Sequence, residues 1–123
     1  MKIVPLGIVV NDKKVLLVHR RFYPVLWGPP GGFINEGEQP IEAVEREVFE
    51  ESGVDCSVVS MIHEFEAFNT KLIVYACKYN SGNLRCSYES KNVGWFELNE
   101  LPEPISPDLN IFEKAVSIIE QHQ

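Results

Sequence analysis

Gly32-Phe33-Ile34-Asn35-Glu36-Gly37-Glu38-Gln39-Pro40-Ile41-Glu42-Ala43-Val44-Glu45-Arg46-Glu47-Val48-Phe49-Glu50-Glu51-Ser52-Gly53-Val54 reads as a glycine-punctuated loop running into one amphipathic helix. Asn35 to Glu38 forms a turn. Pro40 stands in the first helical turn, where its missing N–H costs nothing, and Gly53 closes the helix as a C-terminal cap. At 100° per residue, Ile41, Val44 and Val48 fall on one stripe, expected to face a sheet, and Glu47, Glu50 and Glu51 fall on the neighbouring stripe. Residues three or four apart on a helix sit about 5–6 Å apart at Cβ, so three carboxylates converge beside the buried edge. Like charges at that spacing repel by roughly 0.2–0.5 kcal/mol per pair in an isolated helix, and Arg46, four residues from both Glu42 and Glu50, can offset part of this. Two readings are open at this point. The acids form a solvated helix face, or they form a cation site, whose hard oxygens suit Mg²⁺ or Mn²⁺.

Outward from this segment the pattern is strand-like. Ile3 to Val10 is apolar and β-branched, Asn11 to Lys14 is a turn, and Val15 to Val18 resumes a strand, so residues 3–20 read as a hairpin. Phe22 to Trp27 reads as loop, and Gly28-Pro29-Pro30-Gly31-Gly32 leads to a short strand at Phe33-Ile34. Val54 to Ala67 and Thr70 to Tyr79 are two strands joined by a turn around Phe68-Asn69. Ser81 to Asn83 turns again, and Val93 to Glu97 is a short strand. Leu101 to Pro104 is a loop, and Ser106-Pro107 opens a last helix with Leu109, Phe112, Val116 and Ile119 as its apolar stripe. Strands, a helix, strands, a helix: this order implies an α/β fold with a mixed β-sheet between helices.

The chain has 123 residues, 45% hydrophobic and 24% charged, enough for a single domain over 1–123 with a core of its own. No apolar run approaches the 18 or so residues of a membrane span, and the start lacks a signal-peptide pattern. Cys56, Cys77 and Cys86 show no CxxC spacing and read as reduced cytoplasmic thiols used for packing. The formal charge is −7, and the Gly32–Val54 window alone, with seven acids and one base, carries −6 of it. A chain with one acidic segment and no basic stripe is a poor candidate for nonspecific nucleic-acid binding. The P-loop, the G-x-G-x-x-G loop, H-E-x-x-H and the EF-hand loop are absent from the sequence.

The segment resolves the two readings of the glutamates. It matches the Nudix box, Gly-x5-Glu-x7-Arg-Glu-U-x-Glu-Glu-x-Gly-U with U aliphatic, at every fixed position; seven fixed letters make a chance match of order 10⁻⁷ or rarer. The preceding Trp27-Gly28-Pro29-Pro30-Gly31-Gly32 resembles the Trp-x-x-Pro-Gly-Gly lead-in common in that family. The chain is therefore identified as a member of the Nudix hydrolase family, MutT-like subgroup, and the resemblance implies a Nudix-type α/β/α sandwich. By that resemblance Glu47, Glu50, Glu51 and the Gly32 carbonyl hold Mg²⁺, with Mn²⁺ as a substitute. Glu38 ties the loop to backbone donors, and Arg46 orients the glutamates rather than touching substrate. Similar enzymes also carry a metal-binding or catalytic glutamate on the loop where Glu89 lies, six residues before Trp95; a solvated loop acid is the other reading of Glu89.

The implied reaction is pyrophosphate cleavage in a nucleoside triphosphate or a related nucleoside diphosphate derivative, releasing a nucleoside monophosphate. Metal ions neutralise charge on the phosphoryl oxygens and align water for in-line attack, and a carboxylate, Glu50, Glu51 or Glu89, takes the water's proton. Phosphate contacts are expected from Arg20 or Arg21; strand alternation sets them on opposite faces, and Arg21 is preferred. His19 reads as structural. Phe22, Tyr23 and Trp27 read as base-stacking or core residues, and Asp108 and Asn110 as base-reading or helix-start residues. The signatures of the NADH, coenzyme A, ADP-ribose and dinucleoside polyphosphate subfamilies are missing, which leaves a compact triphosphate pyrophosphohydrolase as the default. A nucleotide-sugar or RNA 5′-end hydrolase and a non-catalytic nucleotide-binding module are the alternatives. The expected partner is a small nucleotide, without membrane, and the assembly a monomer or homodimer.

Overall fold

A computed structural model describes residues 1–67 and 69–122. Six strands form one mixed sheet, and a helix covers each face. In chain order the elements are β1 (Lys2–Asn11), β2 (Lys14–Arg20), β3 (Trp27–Gly28), α1 (Pro40–Ser52), β4 (Asp55–Ala67), β5 (Thr70–Ser81), β6 (Ser90–Phe96), a 3₁₀ turn (Leu98–Glu100) and α2 (Leu109–Gln121). The sheet order is β3-β2-β1-β5-β4, with β6 paired to β2. β1 and β5 run parallel from Lys2↔Thr70 to Val10↔Lys78, and the other pairings are antiparallel. The expected mixed sheet between helices is the observed architecture.

Alternation along the strands sorts the core into two faces. Ile8, Val10, Leu17, Val74 and Ala76 pack with Phe112, Val116 and Ile119 of α2. Val9, Leu16, Tyr75 and Cys77 pack with Val44 and Val48 of α1. α1 starts with Pro40, the Glu42 carboxylate accepts the Gln39 N–H at 2.8 Å, and the helix ends at Gly53 with φ 82°. No helix among the described residues is long and apolar enough to cross a membrane.

Several expectations need correction. Ile41 and Leu109 lie outside the buried stripes, 48% and 47% exposed; Ala43 and Ser52 complete the buried side of α1, and Ile111 and Ala115 that of α2. Each misassigned residue sits in its helix's first turn, where Ala43 of α1 and Ile111 and Phe112 of α2 are the residues buried instead. No strand forms at Phe33-Ile34, because the Phe33 carbonyl accepts from the Arg46 guanidinium at 3.1 Å. The pairing lies earlier, at Trp27–Gly28 against His19 and Val18. α2 begins at Leu109 with extended Asp108 before it, rather than at Ser106-Pro107. Cys56 and Cys77 are buried, but Cys86 is exposed and packs no core. Of the Phe68-Asn69 turn, Phe68 lies outside the described residues, and Asn69 takes φ 59°.

Candidate active site

β1 and β2 stay paired only next to their tight turn, at Val10↔Val15 and Asn11↔Lys14. Beyond it they part, and the glycine-rich segment fills the gap. Gly31 bridges Leu6, the Gly7 N–H donates to the Pro30 carbonyl at 2.9 Å, and the Gly32 N–H donates to the Pro5 carbonyl at 3.3 Å. The approach is close enough to exclude side chains. A Cβ on Gly31 would lie 2.2 Å from the Pro5 oxygen, and a Cβ on Gly32 would lie 2.6 Å from the Glu47 carboxyl carbon.

The helix glutamates meet this backbone. Glu51 Oε2 accepts the Gly31 N–H at 2.9 Å. Burial pushes the Glu51 carboxyl up to about 8, and the nearby charges of Glu47 and Glu89 push the same way against the Gly31 N–H. A carboxyl in that state holds a proton where a cation would serve equally well. Arg46 spans the other acids. Its Nε donates to Glu38 at 2.7 Å, and its Nη1 donates to Glu47 at 2.8 Å and to Glu50 at 3.1 Å. Glu38 also accepts the Asn35 N–H at 2.9 Å, and Arg46 with that N–H holds its carboxyl down at about 2. The expected loop anchor and orienting arginine are thus brought together. Arg46 bridges Glu50 but not Glu42, which is engaged at the helix start. Among the described residues no set of three or more histidine, cysteine or carboxylate side chains is gathered in metal-ligand geometry; in this conformation Arg46 lies between Glu47 and Glu50.

A cavity of about 520 Å³ opens at the parted strands, in the size range of small-molecule sites, and Glu47, Glu51, Glu89, Arg20, Gly31 and Gly32 line it. Glu50 is not in its lining, and its side chain is 54% exposed beside Arg46. Leu16 packs against the α1 side of the sheet, so alternation carries Val18 and Arg20 to the helix that bears the glutamates, and both line the cavity. Arg21, preferred from the sequence, is instead turned onto the turn preceding β6, its Nε donating to the Tyr88 carbonyl at 2.9 Å. Phe22 and Tyr23 line the cavity. Trp27 does not: it stacks on His19 at 4.6 Å and meets Phe96 edge-on at 5.2 Å, so both Trp27 and His19 are packing groups. Asp108 and Asn110 are exposed at the start of α2, outside the cavity lining; Ser106 lines it in that region.

Sequence reasoning missed the apolar wall from Val4, Leu6, Phe65 and Leu72, which the parallel β1–β5 and antiparallel β4–β5 pairings bring together. It also missed Arg85, whose guanidinium donates to the Phe49 and Glu50 carbonyls at 3.1 and 3.2 Å. A cation on the last turn of α1 satisfies orphan carbonyls and suits the helix dipole.

The family model described as NUDIX domain matches residues 1–116. The chain belongs to the NUDIX family. It is 32% identical over 105 residues to an ADP-ribose pyrophosphatase of Methanocaldococcus jannaschii, covering 79% of this chain and 62% of that protein. It is 33% identical over 99 residues to a MutT-like protein of Streptomyces ambofaciens, covering 79% of this chain and 64% of that one. This NUDIX chain therefore spans less than two thirds of the length of either curated relative. Its fold is similar to the crystal structure of an ADP-ribose pyrophosphatase from Streptococcus suis, with a TM-score of 0.83 at 20% identity over 99% of this chain and 94% of that one.

Proposed function

We propose that this domain hydrolyses a pyrophosphate bond in a nucleoside triphosphate or a related nucleoside diphosphate derivative, with Mg²⁺, and releases a nucleoside monophosphate. One observation carries the reading: Glu47, Glu51 and Glu89 line the same cavity as Arg20 and the bare Gly31–Gly32 backbone. The donor set fits a hard divalent cation. Glu47 lies against Gly32 with no intervening side chain, and partial burial raises the Glu51 carboxyl to about 8, so that it favours its protonated form near neutral pH. When bound, Mg²⁺ neutralises charge on the phosphoryl oxygens and acidifies a water molecule. Glu47, Glu51 and the Gly32 carbonyl would hold it, with Glu50 joining after leaving Arg46; Mn²⁺ would serve as a substitute.

The chain's own residues supply the rest. Arg20 is the arginine of the lining and meets the phosphates. Phe22 and Tyr23 offer ring faces to a base. Glu89, or Glu51 once a bound cation has displaced its proton, would take the proton from water as its oxygen bonds to phosphorus, while the P–O–P bridge breaks and the bridging oxygen leaves with the other phosphate. Arg46 fixes the acid array from outside the cavity. The names of the relatives bring nucleoside diphosphate derivatives such as ADP-ribose forward beside the triphosphates. Three free cysteines, two of them buried, support a reducing, cytoplasmic setting.

The test is a screen of nucleoside triphosphates, ADP-ribose, nucleotide sugars, dinucleoside polyphosphates and 5′-triphosphorylated RNA with Mg²⁺ and Mn²⁺ separately. Released phosphate, pyrophosphate and monophosphate are measured. We expect metal-dependent release of a nucleoside monophosphate that chelation abolishes. Tight nucleotide binding without release of any product would replace this reading with a binding module.

A further inference from the structure

We propose that Arg21 is a positioning residue that clasps the turn before β6 and thereby sets where Glu89 faces Glu47 and Glu51. This deepens the hydrolase reading and rests on it for its kinetic arm. Three consecutive carbonyls of that turn are bound by one residue. The Arg21 N–H donates to the Glu89 carbonyl at 2.8 Å. Its side chain donates from Nε to the Tyr88 carbonyl at 2.9 Å and from Nη2 to the Ser90 carbonyl at 3.5 Å. The same two segments meet again through the Phe22 and Tyr88 rings, 5.8 Å apart.

The location gives the clasp its use. Glu89 lines the cavity and Arg21 does not. The β2–β6 ladder pairs Arg20 with Ser90 and shifts register just before it, between His19 and Arg20, so regular pairing ends one residue short of Glu89. Before Ser90 the turn is exposed; one backbone bond, Arg21 N–H to the Glu89 carbonyl, continues the pairing, and the Arg21 side chain adds the bonds on either side of it, to Tyr88 and Ser90. A planar fork bonds two carbonyls at fixed separation; a lysine ammonium offers no such geometry. Arg20 and Arg21, adjacent and of one charge, thus take different tasks, one toward the phosphates and one toward the acid.

The test compares wild type with Arg21→Ala, Arg21→Lys, Glu89→Gln and the Arg21→Ala/Glu89→Gln double variant. We expect Arg21→Ala to lower kcat by about 10–100-fold, the usual cost of removing a group that orients a site residue, with KM nearly unchanged and only partial recovery in Arg21→Lys. In the double variant, loss of Arg21 should add nothing to loss of Glu89, because both act through one carboxylate. A raised KM with kcat retained, or losses that multiply in the double variant, would make Arg21 a direct phosphate ligand and overturn the proposal. Hydrogen exchange supplies the arm that needs no turnover. In Arg21→Ala the amides at positions 21 and 90 should lose protection while β1 and β5 keep theirs. Unchanged protection at 21 and 90 overturns the clasp whether or not any nucleotide is hydrolysed; absence of turnover in wild type would sink the hydrolase reading alone.

Discussion

Glu51→Gln should lower turnover by about 10²-fold or more and at the same time make the metal-free protein more stable at pH 8–9. The two effects share one cause. Burial, with Glu47 and Glu89 nearby, raises the Glu51 carboxyl from 4.5 to about 8. The folded protein therefore binds this proton more tightly than the unfolded chain. Its stabilising contribution is complete below pH 4.5 and declines as pH rises through 8, where the carboxylate is forced to ionise in a poor environment. Glutamine keeps the shape and an acceptor for the Gly31 N–H and escapes that decline. Thermal melts from pH 5 to 9 without metal should show the variant gaining on wild type as pH rises. Mg²⁺ should then raise the wild-type Tm at pH 8 and leave the variant's nearly unmoved. Wild-type turnover in the variant, or a lower Tm at pH 9, would remove Glu51 from the metal set. Glu38 runs the other way. Held near 2 by Arg46 and the Asn35 N–H, its contribution is present above pH 4.5 and lost as pH falls through 2.

Gly31→Ala should be the most destabilising single-methyl change in the site, and Gly32→Ala should spare the fold while removing activity. At Gly31 the added carbon would sit 2.2 Å from the Pro5 oxygen and 2.8 Å from the Leu6 Cα. Both are backbone atoms of β1 and cannot swing aside. We expect about 3 kcal/mol lost, the upper end of the usual overpacking cost, and a Tm lowered on the order of 10 °C. At Gly32 the atoms nearest the carbon would be the end of Glu47, a flexible side chain that can rotate away. That rotation takes a carboxylate out of the cavity. Melting curves and kcat for the two variants decide the matter: a Gly31→Ala protein that melts like wild type would contradict the wedge between β1 and β2.

How much of this was legible before the fold depends on where the information sits. The Gly32–Val54 segment carries its meaning locally, because helical spacing sets Glu47, Glu50 and Glu51 on one stripe and the breakers at Pro40 and Gly53 fix the helix ends, but spacing does not record that Glu50 lies exposed beside Arg46 and outside the cavity lining. Strand alternation likewise separated Arg20 from Arg21. Which of the two lines the cavity is not local, since it depends on the side of the sheet that α1 covers, and the one that does is Arg20 rather than the preferred Arg21. The apolar wall needs β1 set beside β5, as in the pairing Val4↔Leu72, and the Arg85 cap on α1 reaches across 35 positions of sequence, with no periodic signal to announce either. Ile41 and Leu109 keep the helical period but stay about half exposed, because the first turns bury Ala43, and Ile111 and Phe112, in their place.

The most direct measurement is a calorimetric titration of Mn²⁺ into wild type, Glu47→Gln and Glu51→Gln at pH 6 and pH 8, in two buffers so that released protons are counted. With Glu51 protonated below about 8, the account predicts binding at pH 8 that weakens at pH 6 by up to about tenfold per pH unit, with proton release, and that is largely lost in both variants. Binding that neither substitution nor pH alters, or none even with saturating nucleotide, would contradict it.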